Sequence, residues 1–161
     1  MNETTRPQLL ELLIFEVGGQ RFGLAVSDVH EIVRAVPPVP LLGSPAGIEG
    51  VINVRGSVVP VLDIRRRFHL PARPLEYTDH LVIARVTDRL VALRVDCAVD
   101  LVRLNEADVQ DLQGVVSGPE QVARIARLPE DLVLIQDLHA LLSEADSAAL
   151  EEALSSGGAQ P

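Results

Sequence analysis

The sequence predicts a mainly β protein, its short strands closed into a barrel or sandwich and followed by one C-terminal helix. Three observations lead there. Short apolar runs recur at roughly 8–12-residue spacing with turn signals between them, the mark of a barrel or sandwich and not of a parallel α/β sheet. Several neighbouring runs are joined by turn-length links: Gly18-Gly19, Arg55-Gly56-Ser57 and Thr87-Asp88-Arg89. The length, 161 residues and 17.4 kDa, suits one domain large enough to stand on its own core.

The elements follow in order. Residues 1–8 read as a flexible leader. Leu9 to Val17 (LLELLIFEV) and Gln20 to Val26 (QRFGLAV) form a hairpin through Gly18-Gly19. Ser27 can cap a helical turn that passes into a strand at Val29, Ile32 and Val33. Pro37, Pro38, Pro40 and Pro45 make the next stretch an extended, irregular connection. Gly50 to Val54 and Val58 to Asp63 form a second hairpin, in which Pro60 points to an edge strand or a bulge. Leu81 to Val86 and Leu90 to Val95 make a third hairpin, and Ala98 to Leu104 another strand. Residues 105–131 are weakly patterned, broken by Gly114, Gly118, Pro119 and Pro129. Leu132 to Ile135 is a short buried strand, and Asp137 to Leu142 begins a helical stretch. Ser143-Glu144-Ala145-Asp146 resembles a capping box, so the last helix starts there; the end of the chain, 156–161, frays.

Composition narrows the function. A single cysteine, Cys97, excludes a disulfide framework and a cysteine-rich zinc site. No Trp, one Tyr and three Phe leave little material for stacking platforms that bind single-stranded nucleic acid. The net charge of −9 opposes binding to a phosphate backbone. No run of about 18 apolar residues crosses a membrane, and the N-terminus lacks a signal-peptide pattern, so the chain reads as soluble and cytoplasmic. The charge is uneven: residues 1–75 hold 8 Arg and 7 acids, residues 76–161 hold 6 Arg and 16 acids. That layout suits docking.

Catalytic chemistry finds little footing. There is no phosphate-cradling glycine loop, nucleophile elbow or paired-histidine metal motif. His30, His69, His80 and His139 are scattered without second ligands at helical spacing, so solvated or capping roles fit them. Asp79-His80 is the one acid–base candidate, in what reads as a polar loop. Cys97 fits a buried, inert thiol better than a reactive one. Arg65-Arg66-Arg67, with Arg73 near, is either a solvated loop or a patch for an acidic partner. The hairpin from Gly50 to Asp63 stands apart, because Asn53 sits mid-strand against its propensity and Arg55 occupies a tight turn beside Gly56. An Arg held on a rigid hairpin can pair with a carboxylate or carbonyl of a partner; it can equally be an ordinary surface residue.

The run Gly50-Val51-Ile52-Asn53-Val54-Arg55-Gly56-Ser57-Val58-Val59-Pro60-Val61-Leu62-Asp63-Ile64-Arg65 resembles the signature of the CheW family of chemotaxis coupling proteins. Other matches lie in order: Phe15 to Leu24 resembles the opening hairpin, Val29-His30-Glu31-Ile32 the V-x-E-I element, Val91 to Asp96 the V-x-L-x-V-D strand, and Leu132 to Leu142 the closing strand and helix. The likeness covers about residues 10–142. It implies two small five-stranded SH3-like β-barrels sharing a hydrophobic core, intertwined in one unit over residues 9–155, with a C-terminal helix.

The implied role is a non-enzymatic adaptor without cofactor or metal. It would couple the cytoplasmic tips of methyl-accepting chemoreceptors to the regulatory domain of a CheA-type histidine kinase, in membrane-associated arrays, with no nucleic acid and no membrane insertion. A paralogous pilus, gliding or developmental pathway would use the same fold and signature. Carried over position by position, the resemblance marks Arg55 first, then Val29, Glu31 and Ile32 as partner-contacting, with Gly50, Asn53 and Gly56 shaping the hairpin. One departure stands out: Arg124 precedes Ile125-Ala126 where the family commonly has Gly, which disfavours a left-handed loop there.

Overall fold

Why the first strand lacks hydrophobic alternation is visible once its two faces are followed. The computed structural model describes residues 9–43, 47–111, 122–129, 131–136 and 138. In β1 (Leu9–Val17), Leu13, Phe15 and Val17 point into one core while Leu12 and Ile14 point into another. A strand covered on both faces must be apolar throughout, which is the LLELLIFEV run. β6 (His80–Val86) repeats the device, with Val82, Ala84 and Val86 on one side and Leu81 and Ile83 on the other.

The remaining strands are β2 (Gln20–Ala25), β3 (Val29–Arg34), β4 (Ile48–Val54), β5 (Ser57–Leu62), β7 (Arg89–Val95), β8 (Cys97–Asn105), β9 (Val109–Asp111), β10 (Val122–Leu128) and β11 (Asp131–Gln136), with a short helix α1 (Ile64–Arg67). They form two sheets. The terminal sheet, ordered β8-β1-β2-β11-β10-β9, joins strands from both ends of the described chain; the central sheet, ordered β3-β6-β7-β5-β4, lies wholly between them. Each contains one parallel pair, Leu134 and Ile135 beside Phe22 and Gly23, and Val61 and Leu62 beside Ala92 and Leu93. Three apolar clusters result: one inside each sheet, and a larger one between the sheets built on Phe15, Phe22, Leu24, Ile64 and Leu93.

The central sheet is rolled. Its outermost strands are β3 and β4, and in a flat sheet the β4–β5 turn would lie about 14–19 Å from β3 at about 4.8 Å per strand. Instead Arg55 in that turn bonds Glu31 of β3 at 3.0 Å. The terminal sheet closes differently: β8 passes through a 3-10 turn at Glu106–Asp108 straight into β9, so its two edge strands are neighbours in the chain.

Several expectations change. The terminal sheet has six strands, not five. Ser27 caps nothing; it lies inside a 3-10 turn, Val26–Asp28, whose N-cap is Ala25. Pro60 sits in an internal strand. Val51, opposite it, directs its N–H and C=O outward to Val39, so Pro60 owes no bond to β4, and pairing with β7 begins only at Val61. Val122–Leu128 is a strand hidden in the weakly patterned region. Arg124 lies in it, opposite Asp111 and Ile135, so no left-handed loop is needed there. The expected helix from Ser143, most of Asp137–Leu142 and the termini 1–8 and 156–161 lie outside the described residues; Leu138 is buried in the shared core.

The sheets meet at Asp96, just after β7. Its N–H donates to the Glu16 carbonyl of β1 at 2.8 Å. Its carboxylate accepts the Gly18 N–H at 2.9 Å, Arg65 Nη2 at 2.9 and 2.8 Å, and Arg73 Nη2 at 2.8 Å. Arg73 also reaches Asp79, 1% exposed, at 2.6 Å. Arg94 contacts Asp79 at 3.4 Å and donates through Nε to both oxygens of Glu49 at 3.1 and 3.0 Å. Thus Arg65, expected in a solvated loop or in a patch for an acidic partner, is a buried member of this network, on a helix capped by the Asp63 side chain.

Burial opposes ionisation of Asp96, yet the Gly18 N–H and the Arg65 and Arg73 guanidiniums outweigh it and hold its pKa below the ordinary aspartate value. The contribution of a depressed carboxyl is complete above the unfolded pKa and is lost as the pH falls through the folded one, here below about pH 4. Glu49 has the opposite sign: burial outweighs Arg94 and raises its pKa, so its contribution is lost as pH rises through the raised value. Urea unfolding of Asp96→Asn at pH 7 should show a loss of about 2 kcal/mol, less than for a fully buried pair because Asp96 keeps 28% side-chain exposure. The difference from wild type should shrink below about pH 4; a difference constant down to pH 3 would refute the assignment. Val61→Ala, at a fully buried position, should cost about 1–3 kcal/mol, and Val58→Ala in the same strand, 63% exposed, within about 0.5 kcal/mol.

Candidate functional site

The β4–β5 hairpin is built to hold one guanidinium. Val54 pairs with Ser57, leaving a two-residue turn, and Arg55 and Gly56 both take positive φ, 51° and 89°. This is the primed turn whose twist matches antiparallel strands; it suits Gly56 and is costly for Arg55. The anomalous Asn53 supplies compensation, its side-chain oxygen accepting the Gly56 N–H at 2.8 Å. Gly50, at φ 154°, serves a different purpose: a Cβ there would run into the carbonyl of Val39, which pairs with Val51 along the outer edge of β4. The four hairpin residues named from the sequence therefore converge, three at the tip and one at its base.

Arg55 meets Glu31 in a two-point contact, Nε to Oε2 at 3.2 Å and Nη2 to Oε1 at 3.0 Å. Glu31 gets its inward aim from a register shift between Val29 and Glu31. That irregularity leaves Val29 and Ile32 facing the side of Ala84 and Val82, while Glu31 faces Ile83 and the interior of the central sheet. The Arg55 hydrogen bond lowers the Glu31 pKa, against slight desolvation and helped by the Arg55 and His30 charges. Arg55 itself remains 79% exposed. The arrangement holds an exposed guanidinium in a two-point contact with Glu31 through Nε and Nη2.

Of the V-x-E-I residues, Ile32 is exposed at 39%, Glu31 is engaged by Arg55, and Val29 is half-buried against the shared core. Val29 therefore supports the surface more than it forms it. Val58 adjoins the tip as an exposed apolar side chain that sequence reading passed over, because a strand valine gives no sign of which face it takes.

The chemical alternatives have less room. Asp79, half of the acid–base candidate, is buried and held by Arg73, Arg94 and the Glu76 N–H. Burial and the nearby Glu16 and Asp96 raise the Cys97 pKa, which keeps it a thiol at neutral pH. Among the described residues no group of His, Cys, Asp and Glu could hold a metal ion.

The family model for the CheW-like domain matches residues 11–146. A probable chemotaxis protein CheW of Rhizobium etli is 33% identical over 143 residues, covering 86% of this chain and 91% of that protein. The chemotaxis protein CheW of Treponema pallidum is 28% identical over 139 residues, 83% and 82% of the two chains. Among solved structures, the scaffolding protein TtCheW of Thermoanaerobacter tengcongensis superposes with a TM-score of 0.79 at 26% identity, over 88% of this chain and 96% of that one.

Proposed function

This chain belongs to the CheW-like domain family, and we propose that it is the adaptor of a chemotaxis signalling complex, joining the cytoplasmic tips of methyl-accepting chemoreceptors to the regulatory domain of a CheA-type histidine kinase. It acts by holding surfaces together, with no bond made or broken and no cofactor. Its place is the cytoplasm, at membrane-associated receptor arrays; no helix among the described residues is long and apolar enough to cross a membrane.

The observation that carries this reading is Arg55, fixed on its primed turn by Asn53, Gly56 and Glu31. A pre-aligned guanidinium loses little freedom when a partner carboxylate or carbonyl arrives, so it orients a complex well. An exposed ion pair contributes only about 0–1 kcal/mol. Affinity therefore rests on exposed apolar side chains of the flanking strands, such as Ile32 of β3 and Val58 of β5, with Arg55 selecting the partner and its register.

The test is reconstitution of receptor fragments, kinase and this protein, with ternary assembly and kinase autophosphorylation as readouts. Arg55→Ala should leave Tm within about 2 °C of wild type and weaken assembly about fivefold or more. Glu31→Gln keeps one hydrogen bond to Arg55 and should fall between the two. Assembly unchanged by both Arg55→Ala and Ile32→Asp would move the docking face elsewhere. Absence of any kinase binding by the wild-type protein would overturn the adaptor role itself.

A further inference from the structure

From the end of β3 toward β4 the chain runs Arg34-Ala35-Val36-Pro37-Pro38-Val39-Pro40-Leu41-Leu42. Its burial has a period of three. Ala35, Pro38 and Leu41 are half-buried, while Val36, Val39 and Leu42 are exposed along a second edge at 48%, 64% and 94%. Arg34, Pro37 and Pro40 are exposed along a third. A strand would alternate every two residues; a repeat of three is that of the polyproline II helix, the conformation prolines and the residues before them favour. Val39 fastens this ribbon to β4 through paired bonds with Val51, N–H to carbonyl at 2.8 and 2.9 Å, and Gly50 lets the backbones come that close.

We propose that residues 35–42, headed by Arg34 at the end of β3, are a preformed polyproline II ligand that docks into an aromatic-lined groove of a partner protein carrying a carboxylate at one end. A polyproline ribbon is read by such grooves through successive apolar-Pro pairs. Here Val36-Pro37 and Val39-Pro40 are both turned outward, three residues apart. The basic residue expected at the head of the motif is present: Arg34 is exposed and makes no ion pair with the described residues. Its free charge complements the carboxylate and sets the direction of docking. The occupant is not a second copy of this chain, whose aromatic residues do not build the groove. Phe15 and Phe22 are buried in the shared core, Phe68 stacks on Phe22 with centroids 4.4 Å apart, and Tyr77 is the one remaining aromatic. Because the ribbon is stapled before binding, little ordering accompanies docking.

The ribbon leaves β3 just beyond Glu31 and Ile32, but its proposed docking uses other residues and does not rest on the adaptor reading. The test titrates the 161-residue chain with an SH3 domain that takes Arg-first PxxP ligands, following the groove tryptophan fluorescence and the amide shifts of both proteins. Saturable binding is expected, with shifts confined to residues 34–42 and the groove. It should weaken at least tenfold in Pro37→Ala/Pro40→Ala and in Val36→Asp, and several-fold in Arg34→Glu with reduced salt dependence. Val36→Asp changes an exposed side chain, so it keeps the test valid if the proline variant unfolds. No saturable binding at 1 mM, or binding indifferent to these substitutions, overturns the proposal. So does sedimentation showing self-association that Val36→Asp abolishes, which would make a second copy the occupant.

Discussion

Two sheets that share a core need something to fix them at the seam, and here that is a carboxylate. Asp96 follows β7 of the central sheet, yet its backbone pairs with β1 and its side chain holds the turn after β1, helix α1 and the loop bearing Arg73. Apolar packing between the sheets is strong but non-directional. The ionic cluster adds direction, because each arginine must present its donors to particular oxygens. Such a cluster is not a cheap source of stability, since taking charges from water offsets most of their attraction. Its effect is to make one arrangement of the sheets much better than its neighbours: losing one partner strands the others inside.

Against that fixed body the docking surface can be small. The primed turn restrains Arg55, Glu31 aligns it, and the sheet that carries both is rolled so that Arg55 in the β4–β5 turn reaches Glu31 of β3. The same contact that closes the sheet also positions the guanidinium. Fold and recognition are coupled here through one ion pair whose own contribution to stability is slight.

Much of this was legible in the chain. The three hairpins, the closed β architecture and the family signature all follow from local patterns, because turn chemistry and apolar runs are properties of neighbours in sequence. Asn53 and Gly56 were visible as oddities, and the turn explains them. What the sequence hid was non-local. Arg65 and Asp79 look like ordinary loop charges, since nothing nearby reveals that Asp96 and Arg94 will meet them. Pro60 looked like an edge residue because its strand's other neighbour, β7, lies some thirty positions further along. β10 was overlooked because Arg124 and Arg127 interrupt its apolar side chains, and its partners β9 and β11 are themselves short. Val29 and Ile32 share a face only because of a register shift, which no alternation rule anticipates.

The parallel pairing of β11 with β2 has a consequence for how the chain becomes a protein. The central sheet draws every strand from one continuous stretch, residues 29–95, whereas the terminal sheet sets Leu134 beside Phe22. On a ribosome the central strands can all be present while β1 and β2 still await the segments that complete their sheet. In that interval Leu12 and Ile14 have only part of their enclosure. The return of the late strands to β2 spans a long loop, the kind of non-local closure that slows folding in β proteins. Once β8 is made, β1 has a neighbour on both sides, so the edge left open to misassociation is that of β2, until Leu134 and Ile135 arrive.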